Sequence, residues 1–338
     1  MIFFRVDCNQ IIASGHLMRC ISIAKELERR NVQFVFLISD SNSIPFLEAE
    51  DFPFINLNTR WDNLLLEEKN ISSVLKSNPN SILFIDTYSV TEEYVSHFKE
   101  QAKIVYLGSK RIVLDGIRML INYSASIDYS FYQQYSNVKL LLGPKYAPLR
   151  QEFYQNRNTY SKNIKHVLIT VGNSDKNHFV FNFLNKFESV ANAANVICHI
   201  VIGKMFDDSK AIKTLALNDN HFQIHENVSS MSELMLSVDL AISANGTTVY
   251  ELAATSTPTI SFSLVDEQVE SAMALNKMGI VDYCGNFFID SDGTVDRIIE
   301  RFWYYVHHDS ERISLGKRAN SLISGDGSKL IVDAMLAL

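Results

Sequence analysis

Four stretches of the chain place side chains able to do chemistry directly after an apolar run. The first is Asp7-Cys-Asn-Gln-Ile-Ile-Ala-Ser-Gly15-His16-Leu-Met-Arg19. Gly15 permits a tight backbone turn, and His16 falls where an amphipathic segment begins. A helix N-terminus favours anions and lowers the pKa of a nearby imidazole, so His16 either caps that helix or serves as a neutral base. Asp7 is a carboxylate able to orient the imidazole. Arg19, about one helical turn beyond His16, can hold a phosphate or pair with Asp7. The second stretch is Phe84-Ile85-Asp86-Thr87-Tyr88, where a carboxylate and a phenol leave an apolar run together. Taken alone, they are a capping Asp86 and a packed Tyr88.

The third stretch is Val171-Gly172-Asn173-Ser174-Asp175. Its small residues let a substrate approach the backbone at Gly172, and Ser174 or Asp175 can cap the helix that follows. The fourth runs from Val238 through Asn245-Gly246-Thr247-Thr248 to Glu251. Here a strand, a small-residue turn and a helix follow one another. Backbone N–H groups and hydroxyls at Gly246, Thr247 and Thr248 would cradle a diphosphate at the helix start. Glu251, one turn beyond Thr247, can accept hydrogen bonds from the ribose diol beside it. Asp266-Glu267-Gln268 mark the edge of the binding cleft after the next strand.

Positioning these groups takes a particular set of elements. Short apolar runs alternate with longer amphipathic ones along the whole chain. Strands are expected at Ile2–Val6, Phe34–Ile38, Phe54–Leu57, Ile82–Ile85, Ile104–Leu107, Met119–Ile121 and Lys139–Leu142. The pattern restarts with strands at His166–Val171, Val196–Ile202, Phe222–Ile224, Leu240–Ser243, Thr259–Phe262 and Ile280–Tyr283. Helices are expected at about His16–Arg30, near Asn63–Leu75, at about Asn177–Ala193, and at Val295–His307 and Lys329–Leu338. Continuously apolar strands belong to sheets covered on both faces, and the alternation predicts parallel sheets with right-handed crossovers. The polar stretch Gln151–Lys165 divides the chain into residues 1–155 and 156–338, with the last helix able to pack back on the first part. Ligands in such sheets bind beyond the carboxyl ends of the strands, which is where all four stretches fall.

Composition narrows the partners. With 338 residues, a net charge of −7 and 20% charged residues, the chain has room for two cores and no global basic field for nucleic acid. Cys8, Cys20, Cys198 and Cys284 are scattered without zinc-ligand spacing, as expected of small buried side chains in a reducing compartment. The apolar opening Met1–Phe4 is too short for a signal peptide, and no 18-residue apolar run spans a bilayer. A cytoplasmic monomer without metal or cofactor is the expectation.

The series of motifs resembles the GT-B-fold family of nucleotide-sugar enzymes. Within it, the chain is similar to the PseG-type UDP-sugar hydrolases of pseudaminic acid biosynthesis and to related spore-coat polysaccharide proteins. The resemblance spans nearly the full length. It rests on Phe4-Arg-Val-Asp7, Gly15-His16-Leu-Met-Arg19-Cys, Asp86-Thr-Tyr88, Gly143 through Arg150 to Phe153, Gly172 through Asp175, and Gly246 through Glu251 to Gln268. Three departures from the family pattern stand out. Ala13 replaces the first glycine of Gly-x-Gly-His, Asn173 replaces a glycine, and Gly108-Ser109-Lys110 stands where an aspartate pair is usual.

The resemblance implies an α/β protein of two doubly wound Rossmann-like domains facing across a cleft. It implies a metal-independent hydrolase that removes UDP from a 2,4-diacetamido-2,4,6-trideoxyhexose. His16 would activate water with Tyr88 and Asp7 beside it, in the first domain with Gly15, Arg19 and Asp86. Gly246, Thr247, Thr248 and Glu251 would hold the diphosphate and ribose, together with Gly172, Ser174, Asn245 and Gln268. Backbone near Val228 would read uracil. The alternative on the same scaffold is a glycosyltransferase in which His16 deprotonates an acceptor hydroxyl.

Overall fold

The structure is a computed structural model that describes residues 1–155, 157–217 and 219–338. Residue 156, at which the second domain of the sequence reading opens, lies outside the described residues. The chain divides into two compact units, Met1–Gln151 with Asp326–Leu338, and Glu152–Gly325.

In the first unit, seven strands form one sheet: β1 (Ile2–Val6), β2 (Phe34–Ile38), β3 (Phe54–Asn56), β4 (Ile82–Asp86), β5 (Lys103–Leu107), β6 (Ile117–Asn122) and β7 (Lys139–Leu142). Their spatial order is β3-β2-β1-β4-β5-β6-β7, and every pairing is parallel. All residues of β1 are buried, because successive side chains of a central strand enter cores on opposite faces. Ile2, Phe4 and Val6 pack with Leu17, Cys20, Ile21 and Ala24 of the helix Gly15–Arg29. Phe3 points the other way, toward Ile71 and Leu75 of the helix Glu68–Lys76 and Tyr94 and Phe98 of the helix Glu92–Phe98. Phe4 stacks on Phe36 with ring centroids 5.0 Å apart, which helps fix β1 against β2.

The final helix, Gly327–Leu336, belongs to this unit and not to residues 152–325. Ile331, Val332 and Met335 complete the core over the helix Gly15–Arg29, and Arg30 pairs with Asp333 at 2.6 Å.

The second unit carries β8 (His166–Thr170), β9 (Ile197–Ile202), β10 (Phe222–Glu226), β11 (Leu240–Ala244), β12 (Thr259–Ser263) and β13 (Asp282–Asn286) in the parallel order β10-β9-β8-β11-β12-β13. Phe179, Phe183 and Phe187 recur every four residues on the helix Phe179–Ala194 and so share one face. They stack on one another at 5.2 and 4.8 Å and meet Phe262 and Phe302 in the core. One strand lies later than the sequence pattern predicts. Gly279, with φ 72°, ends the preceding helix, and Ile280 and Val281 fill core space on the way into β13.

Each sheet reverses its direction of strand addition once. In the first unit the reversal lies between β1 and β4, and in the second between β8 and β11. Such a reversal opens a crevice at the strands' carboxyl ends, because the following connections leave on opposite faces. Among the described residues, no helix is long and apolar enough to cross a membrane.

Candidate functional site

At the β1/β4 reversal, the loop after β1 is folded by its own side chain. Asn9 Oδ1 accepts the N–H groups of Ile11 at 2.8 Å and Ile12 at 3.0 Å. Ala13 then takes the left-handed conformation, φ 55°. The turn therefore bends at Ala13 and not at Gly15, which is the first residue of the helix behind its Ser14 cap. The family's glycine at position 13 fits this geometry, since an L side chain in that region is strained. A Cβ built on Gly15 meets nothing within 4 Å.

His16, the second residue of that helix, is buried. Its Nδ1 lies 2.5 Å from Asp86 Oδ1, at the end of β4. Asp86 also accepts Arg19 Nε at 2.5 Å on Oδ2, a second bond from Arg19 Nη2 on Oδ1, and the Cys20 thiol at 3.4 Å. Burial works to raise the Asp86 carboxyl, but the Arg19 guanidinium and the hydrogen bonds from Arg19 and His16 outweigh it and hold the group below its ordinary value. Asp86 is thus an ionised acceptor. A lone pair on Nδ1 facing it at 2.5 Å would be repulsive, so Nδ1 carries the hydrogen and donates. The 2.9 Å approach of Arg19 Nη2 to the same Nδ1 then reflects two donors sharing one carboxylate. With Nδ1 donating, Nε2 is the ring nitrogen that is not tied to Asp86; it is buried and has no hydrogen-bond partner among the described residues.

The sequence offered Asp7 as the group that orients the imidazole and as a partner for Arg19; Asp86 is both. Asp7 Oδ2 instead accepts Arg5 Nη1 at 2.5 Å, and Oδ1 accepts the Ser39 N–H at 2.7 Å. Arg5 is fully buried and also donates to Glu67 at 2.6 Å, which in turn accepts the Tyr94 hydroxyl at 2.6 Å. Burial opposes the charge on Arg5, yet Asp7 and Glu67 push its pKa up. Arg19 does not stand free for a phosphate, because its Nη1 also donates to the Tyr123 hydroxyl at 3.0 Å.

Tyr88 is brought to His16 edge-on, with ring centroids 4.3 Å apart, and is 65% exposed. A small cavity beside them, about 10 Å³, is lined by Asp7, Ile12, His16, Trp61, Asp86, Thr87 and Tyr88. Trp61, Ile12 and Thr87 were not among the residues singled out from the sequence. Trp61 did leave a signal, being one of only two tryptophans and lying in a polar loop after an expected strand.

At the β8/β11 reversal, Gly172 and Ser174 follow β8, and Asn245 and Gly246 follow β11. Gly172 has φ 87°, which only glycine adopts freely. The helix is capped by Asp175 and not Ser174: the buried Asp175 carboxylate accepts Phe179 N–H at 2.9 Å and Val180 N–H at 2.8 Å. Burial raises its pKa, partly offset by those two bonds. Ser174 Oγ and Asn245 Oδ1 are buried and without hydrogen-bond partners among the described residues.

Thr247 precedes the helix Thr248–Ala254, whose turn opens with Val249 N–H to Gly246 O at 3.3 Å. The N–H groups of Gly246, Thr247 and Thr248 thus stand at the open end of that helix. A Cβ on Gly246 also meets nothing within 4 Å. Glu251 lies in the helix's first turn. Gln268 is joined to Asn245, whose Nδ2 donates to the Gln268 carbonyl at 3.4 Å, and Gln268 Oε1 accepts Leu264 N–H at 2.8 Å. Val228 lies beyond β10, with two strands between it and β11. Among the described residues, no group of three His, Cys, Asp or Glu side chains is placed to hold a metal ion.

No family model matches this chain. It is 24% identical over 325 residues to the spore coat polysaccharide biosynthesis protein SpsG of Bacillus subtilis, covering 93% of this chain and 91% of that protein. It is 26% identical over 279 residues to the pseudaminic acid cytidylyltransferase and UDP-2,4-diacetamido-2,4,6-trideoxy-beta-L-altropyranose hydrolase of Helicobacter pylori, covering 81% of this chain and 46% of that protein. An uncharacterized protein of Methanocaldococcus jannaschii is 26% identical over 72% of this chain and 52% of its own length. The chain thus spans about half the length of these last two relatives. Among solved structures, MurG of Acinetobacter baumannii superposes with a TM-score of 0.70 at 14% identity, covering 100% of this chain and 99% of that one. The UDP-GlcNAc 2-epimerase of Neisseria meningitidis superposes at 0.68 and 14% identity, covering 100% of both. The chain is a GT-B-fold α/β protein of two Rossmann-like parallel-sheet domains, similar over most of its length to proteins of spore-coat polysaccharide and pseudaminic acid biosynthesis.

Proposed function

We propose that this protein hydrolyses a UDP-linked 2,4-diacetamido-2,4,6-trideoxyhexose to the free sugar and UDP, with His16 as the general base that activates water. The observation that carries the reading is the state of His16: Nδ1 is tied to an ionised Asp86, and the buried Nε2 has no partner among the described residues. A base needs a ring held in one tautomer with the other nitrogen's lone pair unclaimed, and the Asp86 contact with the unpartnered Nε2 supports that reading. The cavity beside it has room for about one water molecule. The named activity of the Helicobacter pylori relative supports the substrate class.

In this reading Tyr88 borders the base, and Asp7, held by Arg5, lines the cavity. Gly246, Thr247, Thr248 and Glu251 grip the diphosphate and ribose, with Gly172, Ser174, Asn245 and Gln268 around them. The buried, unpartnered Ser174 Oγ and Asn245 Oδ1 support a polar ligand at that switch point. Backbone near Val228 is assigned to the base. The test is incubation with UDP-diacetamido-trideoxyhexoses and no acceptor, following UDP release. Stoichiometric free sugar and UDP support hydrolysis, and silence across the stereoisomers contradicts it.

A second reading, sugar transfer, is favoured by the fold, which this chain shares with MurG over its whole length. Turnover that starts only when an acceptor alcohol is added identifies that reaction instead.

A further inference from the structure

The turn that carries Tyr88 is held at both ends and from outside. It leaves β4 at Asp86, whose carboxylate is fixed by His16 and Arg19. Thr87 Oγ1 accepts the Ser89 N–H at 3.2 Å, which closes the turn locally. At the far end Val90 packs in the core with Tyr94 and Val95. Tyr88 itself is mostly exposed, and its ring meets the edge of His16. One ring edge is a slight constraint on an exposed tyrosine, so the main chain at Thr87–Val90 decides where the ring stands.

The outside support comes from the next loop. β5 lies beside β4, so the loop after β5 runs alongside the Tyr88 turn. It is the Gly108-Ser109-Lys110 segment that departs from the family pattern. A Cβ on Gly108 would collide with the Tyr106 hydroxyl, and glycine lets the chain turn tightly there. Lys110 O accepts Ile112 N–H at 3.0 Å. The Tyr135 hydroxyl donates to Ile112 O at 3.0 Å and accepts Leu114 N–H at 3.1 Å. Those bonds fix the main chain from which the Lys110 side chain extends. Its Nζ donates to Val90 O at 3.2 Å and to Tyr88 O at 3.4 Å.

The bond to Val90 answers a structural need. Val90 is 0% exposed, so water does not supply a donor to its carbonyl, and a buried carbonyl left unpaired is destabilising. The bond to Tyr88 is longer and falls on the residue whose ring borders the imidazole. An ammonium spanning two carbonyls two residues apart restricts the chain between them. A Tyr88 ring that drifts from His16 opens the small cavity that both line, and a water poised there loses its fixed place.

We propose that Lys110 is a positioning residue: through the carbonyls of Tyr88 and Val90 it holds the Tyr88 ring against His16. The proposal rests on His16 as the reacting base and applies to hydrolysis and sugar transfer alike.

The test compares wild type, K110M, K110R, Y88A and the double variant Y88A/K110M in the full chain. K110M keeps most of the apolar stem and removes the donors, whereas K110R keeps donors. UDP release from a UDP-diacetamido-trideoxyhexose is followed with and without an acceptor alcohol, beside the Kd for UDP and the denaturation midpoint. K110M should lose roughly 10-fold in kcat, the size of one charge-assisted hydrogen bond, with UDP affinity unchanged. K110R should recover most of that loss. In the Y88A background the same K110M change should alter kcat by less than about 2-fold, because Lys110 acts through Tyr88. Wild-type kcat in K110M overturns the proposal, and so do losses that simply multiply in the double variant. If wild type turns over with neither water nor acceptor, the assignment of the reaction falls, and amide exchange across residues 87–90 decides the fate of the clamp. Faster exchange in K110M but not in K110R supports it, and identical exchange in all three proteins overturns it.

Discussion

Asp86 Oδ1 lies 2.5 Å from Nδ1 of His16 although the two residues are 70 positions apart in the chain. The contact exists because β1 and β4 are neighbours, with Val6 opposite Asp86. It makes Asp86 a positioning residue that both selects the His16 tautomer and balances Arg19. Asp86→Asn presents an amide that can donate toward Nδ1, which places the ring hydrogen on the wrong nitrogen. Turnover should fall by roughly 10³-fold or more, as when the carboxylate behind a catalytic histidine is neutralised. The same change leaves Arg19 without its counter-charge and should cost about 3 kcal/mol of stability, the low end for a broken buried pair because the Arg19 side chain is 18% exposed. Kinetics and chemical denaturation of one variant check both effects.

Gly172 and Gly246 separate conformation from contact. Gly172 sits at φ 87°, so Gly172→Ala should destabilise by about 1–2 kcal/mol wherever its methyl points. Gly246 has no such backbone demand, and a methyl on it meets open space within 4 Å. Gly246→Ala should therefore leave the unfolding midpoint unchanged while weakening UDP binding by about 1–3 kcal/mol, the cost of overpacking a close contact. Calorimetric titration with UDP reads this out. Wild-type affinity in Gly246→Ala would remove that glycine from the diphosphate site.

Much of the fold is legible in the amino-acid sequence. Continuous apolar strands, the helix after β1, and the Gly-Thr-Thr turn after β11 all carry local signals: burial on both faces, a 3.6-residue period, and small residues before a helix. The partner of His16 carries none. Choosing Asp86 over Asp7 requires knowing that β4 lies beside β1, and no local pattern states strand order. Asp7 looks suitable because it is near in sequence, but a buried Arg5 two residues earlier claims it. Trp61 is hidden for a related reason, since its loop reaches the site only through β3 at the sheet edge. Position 13 is the opposite case: likeness to the family marks Ala13 as standing where glycine is usual, and its left-handed backbone supplies the physical reason.

Three histidines on neighbouring strands of the second unit give a pH prediction. His199 Nε2 lies 3.0 Å from His166 Nδ1, and His199 Nδ1 lies 2.9 Å from His225 Nε2. Burial, with the positive charges its two neighbours would carry, pulls the His199 pKa down to about 4 from the ordinary 6.5. The unfolded chain then binds more protons than the folded one between those values. The part of the stability that depends on His199 should accordingly be fully present above about pH 6.5 and be lost as pH drops through that window toward about 4. Denaturant midpoints of the whole chain at successive pH values should show this slope. His199→Leu should flatten it in that window whatever it does to the absolute midpoint.

Nε2 of His16 is the atom assigned to take the proton from water, and one variant isolates it. His16→Asn keeps an amide donor near Asp86 while removing the second ring nitrogen. The decisive measurement is kcat for acceptor-independent UDP release from a UDP-diacetamido-trideoxyhexose, taken together with the Kd for UDP. A fall of roughly 10²–10⁴-fold in kcat with UDP affinity retained is the predicted result, the range for loss of a general base. Undiminished kcat in a folded His16→Asn protein would contradict the assignment.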